Sequence, residues 1–464
     1  MSPAGSESDD ADPSGPLVMP TRSDPLIRLL SDRAGGPAGA HQRAPRGRER
    51  ILPVLLVMTA VAVLLSVLSM QHCRAEGWIG ASLYHHGCYS DVSALYVQRG
   101  FDADPWIPFL DGGWFEYPVL TSLLASLMAL VTRGVDGVVG SVAPGLAYWE
   151  GRDSLLYWDT TFLFTALAWF VLVLTVMRAA GRRPWDAAIV ATSPAIIFGA
   201  GINWDLWATA ALALAVLAHL RGEHRTAGAL IGVGISFKLF PLFMLGAVLV
   251  LVLRRDGPPW AVFIRMLGAA ALSWLVLNVP AMLISWENWV QFWVFSAERG
   301  AGYSSIWHVW DLVAEARGGA GLDADLVSAG SLLLFVACCV GVLVLGVRAP
   351  VRPRMVQLLL LIVAAFVLVN KVYSPQFMIW LIPLIALAAP RWRDVVIWQG
   401  FQVLHFWAVW MYLAGIVGDA EPQHTMAEGI YVLAIIGHLA ATLWIMAVVI
   451  RDMYRPEHDV VRQS

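Results

Sequence analysis

The side chains best suited to chemistry begin at Cys88-Tyr89-Ser90-Asp91, where an acid stands next to apolar sequence. A polar stretch follows and ends in Trp114-Phe115-Glu116-Tyr117-Pro118. A membrane surface would half-desolvate both Asp91 and Glu116, and a half-desolvated carboxyl has the raised pKa that suits a general base. Asp91 also reads as the cap of a helix starting at Val92, and the two roles are compatible. Asn203-Trp204-Asp205 joins two apolar segments. It reads equally as a site for a hydroxyl group or a basic partner and as a tight turn, which Asn and Asp favour.

Cations are the second signal. Of 31 basic residues only Lys238 and Lys371 are lysines. Each closes an apolar segment, in Gly234-Ile235-Ser236-Phe237-Lys238 and in Asn370-Lys371-Val372-Tyr373-Ser374-Pro375-Gln376. A lysine near membrane depth is costly and marks a functional candidate. Two such cations facing one cavity would suit a phosphate, because the ammonium is a compact charge with three donors. Snorkelling to headgroups is the competing explanation, and it covers one lysine more easily than two. His308, between Trp307 and Val309-Trp310, reads as a packed loop residue or as a helper to that phosphate. No HxxxH or CxxC spacing, Walker A sequence or dinucleotide fingerprint occurs. No metal site, cofactor or nucleotide-driven work is therefore expected.

These residues must be held by a membrane protein. The chain has 464 residues, 58% hydrophobic and 14% charged. Soluble domains run at about 45–50% apolar and about 25% charged, so an ordinary soluble enzyme is excluded. The net charge of −3 lacks the basic footprint of a nucleic-acid binder. Residues 1–50, rich in Ser, Asp, Pro, Gly and Arg, read as a disordered cytoplasmic tail, and 451–464 as a second cytoplasmic tail.

Arginine clusters set the orientation. They occur at 43–50, 178–183, 221–225, 254–255, 348–354, 391–393 and 451–455, and all should face the cytoplasm. The apolar segments between them are 51–70, 155–177, 185–201, 204–220, 226–238, 240–253, 261–283, 326–347, 355–370, 376–390, 395–416 and 430–450. That predicts an all-α polytopic protein with twelve spans and both termini inside. The segment 117–132 would break this parity, so it is expected to lie interfacial or re-entrant on the outer side. Two aromatic-rich stretches, 71–154 and 284–325, then lie outside. Cys73 and Cys88 share the first of them. A disulfide is expected there, against the alternative of two free thiols. Cys338 and Cys339 read as small core residues.

Several of these pieces occur together, in order, in one family. CYSDVSALY (88–96), FEYPVLTSLL (115–124), GINWDLWATAALALAVL (201–217), GISFKLFPLFML (234–245) and NKVYSPQFMIWLIPL (370–384) resemble the polyprenol-phosphate-mannose-dependent mannosyltransferases of glycosyltransferase family 87, within the GT-C superfamily. Actinobacterial members are the most similar, and the likeness runs over about residues 50–450. One departure is Tyr117-Pro118-Val119, where the family commonly has Tyr-Pro-Pro.

The resemblance implies a GT-C-like plasma-membrane enzyme working on its outer face. The donor would be a polyprenyl-phosphate sugar, with mannose as the sugar, and the acceptor an envelope glycolipid or glycan. Asp91 maps to the base, which would deprotonate the acceptor hydroxyl in a single inverting displacement. Lys238, Lys371 and His308 would attend the leaving phosphate. Glu116, Tyr117, Asn203, Asp205, Tyr373 and Gln376 would orient the substrates. A transporter or flippase of a lipid-linked saccharide is the rival expectation, and a scaffold for envelope assembly is a third. The chain shows no internal repeat between its halves, which counts against a transporter.

Overall fold

In the computed structural model, residues 16–35, 47–142, 153–418 and 421–463 are described. Among them every regular element is helical. In chain order the principal helices are α1 (Leu52–Ser69), α2 (Asp91–Gln98), α3 (Val119–Val142), α4 (Asp153–Ala179) and α5 (Pro194–Gly199). Then come α6 (Asp205–Leu220), α7 (His224–Phe237), α8 (Phe243–Val252), α9 (Trp260–Ile284), α10 (Trp286–Glu298) and α11 (Ile306–Glu315). The last five are α12 (Ala324–Arg348), α13 (Met355–Val369), α14 (Met378–Ala388), α15 (Trp392–Val417) and α16 (Glu428–Tyr454).

Seven helical segments are long and apolar enough to cross a membrane: Leu52–Ser69, Val119–Val142, Asp153–Ala179, Trp260–Ile284, Ala324–Arg348, Trp392–Val417 and Pro422–Tyr454. The helices differ in how they use that apolarity. Nearly every residue of α13 and α14 is buried, as expected of a helix that is hydrophobic all round. By contrast α9 and α12 expose large apolar side chains such as Leu283 and Leu333. That is costly in water and neutral against lipid. Local stops are chemical. Ser193, Ser285 and Ser305 cap α5, α10 and α11, accepting from Ile196 N, Asn288 N and His308 N.

Arginine stitches one end of the bundle. Arg183 pairs with Asp186 at 2.7 Å and also reaches Val460 O. Arg354 pairs with Asp459 at 3.0 Å and donates to Leu387 O and Ala388 O. Arg391 pairs with Asp452 at 2.6 Å, and Arg254 donates to Gly346 O and Ala349 O. Clusters far apart in sequence therefore meet in one layer.

Two expectations change here. The segment 16–35 is not a disordered tail. It forms helices Pro20–Ser23 and Pro25–Gly35, and it docks on the arginine end. Val18 N donates to Arg182 O at 2.8 Å, and Trp392 N donates to Asp24 Oδ2 at 3.1 Å. The other oxygen of Asp24 accepts from Leu26 N and Ile27 N, so one carboxylate both caps a helix and anchors it. Residues 1–15 and 36–46 of the expected tail lie outside the described residues. The second change is length. The 117–132 segment extends into the 24-residue α3, which is long enough to cross. Its contacts nevertheless stay at the end opposite the arginines. Thr121 Oγ1 donates to Phe237 O, Ala125 O accepts from Tyr157 Oη, and Arg133 donates to Asp102 O and Ala103 O.

Candidate active site

Asp91 opens α2, and a distant turn fixes its backbone. Asp91 N donates to Ile202 O at 2.8 Å, and Ser90 Oγ donates to Gly201 O at 2.7 Å. Trp158 Nε1 donates to the same Gly201 carbonyl at 3.0 Å. This approach needs glycine at 201, because a Cβ there would stand 2.8 Å from Met70 Cε and 2.9 Å from Trp158 Cζ2. Cys73 and Cys88 are joined by a disulfide, with Cα atoms 5.9 Å apart, which closes the loop just before Asp91.

The Asp91 carboxyl is half-buried, and it accepts from Tyr117 Oη at 3.0 Å. Tyr89 also hydrogen-bonds to it. Burial pushes its pKa above the ordinary carboxylate value, and the nearby charge of Glu116 adds to the rise. The two tyrosine hydrogen bonds and the charge of Lys238 oppose it. The outcome is a carboxyl that takes up a proton more readily than a solvated one. Burial, then the Asp91 charge, holds the Tyr117 phenol well above its usual range, so it stays a donor.

Lys238 follows α7 in extended backbone and turns its ammonium inward. Its Nζ donates to Asp205 Oδ1 at 2.8 Å, while Trp380 Nε1 donates to Asp205 Oδ2 at 2.9 Å. Asp205 is 1% exposed, whereas the Lys238 side chain keeps 19% of its surface. The same ammonium lies 5.1 Å from the Tyr117 ring centre, 5.7 Å from Phe377 and 5.8 Å from Trp380. An aromatic wall thus supports a cation between Asp205 and the Tyr117–Asp91 pair. The turn reading of the 203–205 segment is seen, and Asp205 is spent on an ion pair within the chain. Asn203 Oδ1 accepts from Asp205 N at 3.0 Å as a turn would require, and Asp205 has a basic partner. Asn203 Nδ2 and Trp204 Nε1 remain buried without a partner.

The remaining expected residues go elsewhere. Glu116 gives both oxygens to Arg99, each at 2.8 Å, and Arg99 stacks 3.7 Å over Trp114. A bidentate pair of this kind braces the loop, while the Glu116 charge still bears on Asp91. Lys371 does not join Lys238. Its Nζ donates to Ala297 O at 2.8 Å and Ser328 Oγ at 2.7 Å, where it ties α10 to α12. His308 Nε2 lies 3.2 Å from Tyr412 Oη, and burial lowers its pKa. Tyr373 is turned into the core, where its hydroxyl donates to Gln402 Oε1 at 2.8 Å. Gln376 is buried one residue before Phe377 and makes no polar contact with Asp91.

Sequence reasoning overlooked three partners. Tyr89 was visible two residues before Asp91 but sat among many aromatic residues. Trp380 and Arg99 meet their carboxylates only through the fold, and no spacing announces them.

Two small neighbouring crevices, each of about 20 Å³, share Val119 and Trp289, and Tyr117 lines one of them. The first is walled largely by apolar and aromatic side chains, including Leu239, Trp274 and Phe292, while Ser122, Ser285 and Asn288 give the second a polar lining. No protein-family model matches this chain, and no curated protein matches it.

Proposed function

We propose that this chain is a membrane glycosyltransferase that moves a sugar from a polyprenyl-phosphate donor to an envelope glycolipid or glycan. One observation carries the reading. A half-buried carboxyl with a raised pKa stands beside an ammonium that lies against the same tyrosine. A base and a phosphate-binding cation are two of the parts that such a transfer needs.

In this mechanism Asp91 takes the proton of an acceptor hydroxyl. The acceptor oxygen forms its bond to the anomeric carbon as the bond from that carbon to the donor phosphate oxygen breaks. The electron pair leaves with polyprenyl phosphate, whose growing charge Lys238 meets. One displacement inverts the centre, so a β-linked donor yields an α-linked product. Asp205, Trp380 and Asn203 hold Lys238 in place and are positioning residues. Buried donors on Asn203 and Trp204 are suited to sugar hydroxyls that reach them.

The wider reading is a GT-C-like protein of the plasma membrane. It has twelve spans, α3 lying along the outer surface, cytoplasmic termini and an outward active site. Its support is the gathering of Arg183, Arg254, Arg354 and Arg391 at the end opposite Asp91, as the positive-inside rule requires. Mannose is the sugar proposed, on the sequence resemblance.

The test is transfer of radiolabelled mannose from polyprenyl-phosphate mannose in membranes expressing wild type, Asp91→Asn or Asp111→Asn. Asp111 is exposed in the same loop and serves as the control. Transfer by wild type and the control, lost with Asp91→Asn at equal expression, is expected. A folded wild type that transfers no sugar from several donors would sink the reading and favour a lipid-saccharide flippase.

A further inference from the structure

A run of four imidazoles lies beside the Asp91 loop and has no part in the transfer scheme. His72 and His86 stack with ring centres 3.5 Å apart. His86 meets His85 at 4.5 Å, and His85 stacks on His424 at 4.3 Å. The rings come from three separate segments: the helix Gln71–Glu76, the Ser82–His85 turn with the residue after it, and the one-turn Pro422–His424 before α16. His72 Nε2 and His85 Nδ1 are buried without a hydrogen-bond partner. His86 Nδ1 lies 2.9 Å from Ser82 O. Beyond the four rings, the titratable groups that bear on them are Glu76, facing His72, and Glu421, facing His85. The His72–His86 and His85–His424 pairs are stacked and the His85–His86 pair is tilted, and among the described residues no three His, Cys, Asp or Glu side chains converge as metal ligands.

Such a stack holds together only while its rings are neutral. A proton on one ring sets a charge a few ångströms from the next, and two charged neighbours repel. Burial, followed by the charge of His86, lowers the pKa of both His72 and His85, and His424 adds to the effect on His85. With folded-state values depressed, the stabilisation is complete above the ordinary imidazole pKa of about 6.5 and is lost as the pH falls below it.

The stack is mechanically coupled to the base. His72 precedes Cys73 and His86 lies two residues before Cys88, so the disulfide ties the stack to the loop that ends at Asp91. Gly87 has φ +63°, and a Cβ there would stand 2.6 Å from Trp407 Cζ3, so the loop sits directly on α15. Tyr84 and Tyr89 pack on Trp410 of the same helix, with ring centres 6.1 and 5.2 Å away.

We infer that the four histidines form a proton-sensitive clasp. Neutral, it holds the 421–424 turn against the 82–88 loop, and protonation frees that turn and loosens the segment carrying Asp91.

Hydrogen exchange on the full chain in nanodiscs tests this without any sugar transfer, so it stands or falls apart from the transferase reading. Exchange in peptides covering 78–91 and 421–427, corrected for intrinsic rate, is compared at about pH 7.5 and about pH 5.5, on either side of the imidazole pKa. Wild type is expected to lose about tenfold in protection in both peptides at the lower pH, which lies about one unit below the ordinary imidazole pKa. The double variant His85→Gln/His424→Gln should show no such pH step in 421–427 and a smaller one in 78–91, where the His72–His86 pair remains. His85→Lys, which fixes a cation in the stack, should show the low-pH exchange already at about pH 7.5. Equal protection of wild type at both pH values, or the same step in the Gln variant, would overturn the proposal. Zinc that raises protection at the higher pH in wild type and not in the Gln variant would also overturn it, since the cluster would then be a metal site.

Discussion

The two ends of the bundle use their carboxylates in opposite ways. At the arginine end Asp186, Asp452 and Asp459 are each at most 2% exposed, and each meets an arginine within 3.0 Å. Those charges are spent on joining distant segments. At the other end Asp91 is half-buried, its carboxyl accepts, among the described residues, from tyrosine hydroxyls alone, and the nearby Lys238 is held by Asp205 instead. A paired acid is quiet, because its partner occupies its oxygens and holds them in a fixed ion pair. An acid left among tyrosines keeps a raised pKa and an accessible oxygen, and that is what proton transfer needs.

Substitutions at both ends put this contrast at risk. The largest effect is expected from Asp91→Asn. Losing a general base costs about 10²–10⁴ in rate. Thermal melting should not fall, because an ionised, half-buried carboxyl is a burden on the fold at neutral pH. Arg354→Met should do the reverse. It removes the nearest ion partner of the buried Asp459 and leaves it Gln357, Val461 N and Arg462 at 3.7 Å, so the cost is at most about 3 kcal/mol of stability, while transfer per folded molecule stays at the wild-type level. Melting curves and transfer assays on both variants check the pair.

Cys73→Ser is expected to be milder. Opening a loop of 15 residues removes about 3 kcal/mol in the chain-entropy account, readable as a lower melting temperature in non-reducing buffer. The smallest effect sharpens the comparison most. Tyr117→Phe removes a hydrogen bond that favours the ionised Asp91, so the carboxyl pKa should rise further. Activity requires the ionised form, so it fails as pH drops through that pKa. The acid limb of the kcat/KM profile should therefore move to higher pH in Tyr117→Phe. A limb that stays put or moves down would detach Tyr117 from the base.

Much of the architecture was legible because apolar runs and arginines obey strong rules. The long helices follow from composition, and the arginines separated in sequence do meet at one end. Asp91, Tyr117, Asn203, Asp205 and Lys238 were each singled out by type and position, and they come together. What failed was pairing across the fold. Lys371 has the same sequence setting as Lys238, yet it ends on Ala297 O and Ser328 Oγ because α10 and α12 pass there. Glu116 resembled a free acid until Arg99 was brought to it by the turn between them. Residues 16–35 had the composition of a tail, but one carboxylate, Asp24, supplied both a helix cap and an anchor to Trp392.

The most direct test of the central claim uses purified protein in lipid with a β-linked mannosyl polyprenyl phosphate, comparing Asp91→Asn with Asp459→Asn. Both remove one carboxylate charge, at opposite ends. The account predicts an α-linked product from wild type and from folded Asp459→Asn, and none above background from equally folded Asp91→Asn. An α-linked product formed by Asp91→Asn at the wild-type rate would contradict it.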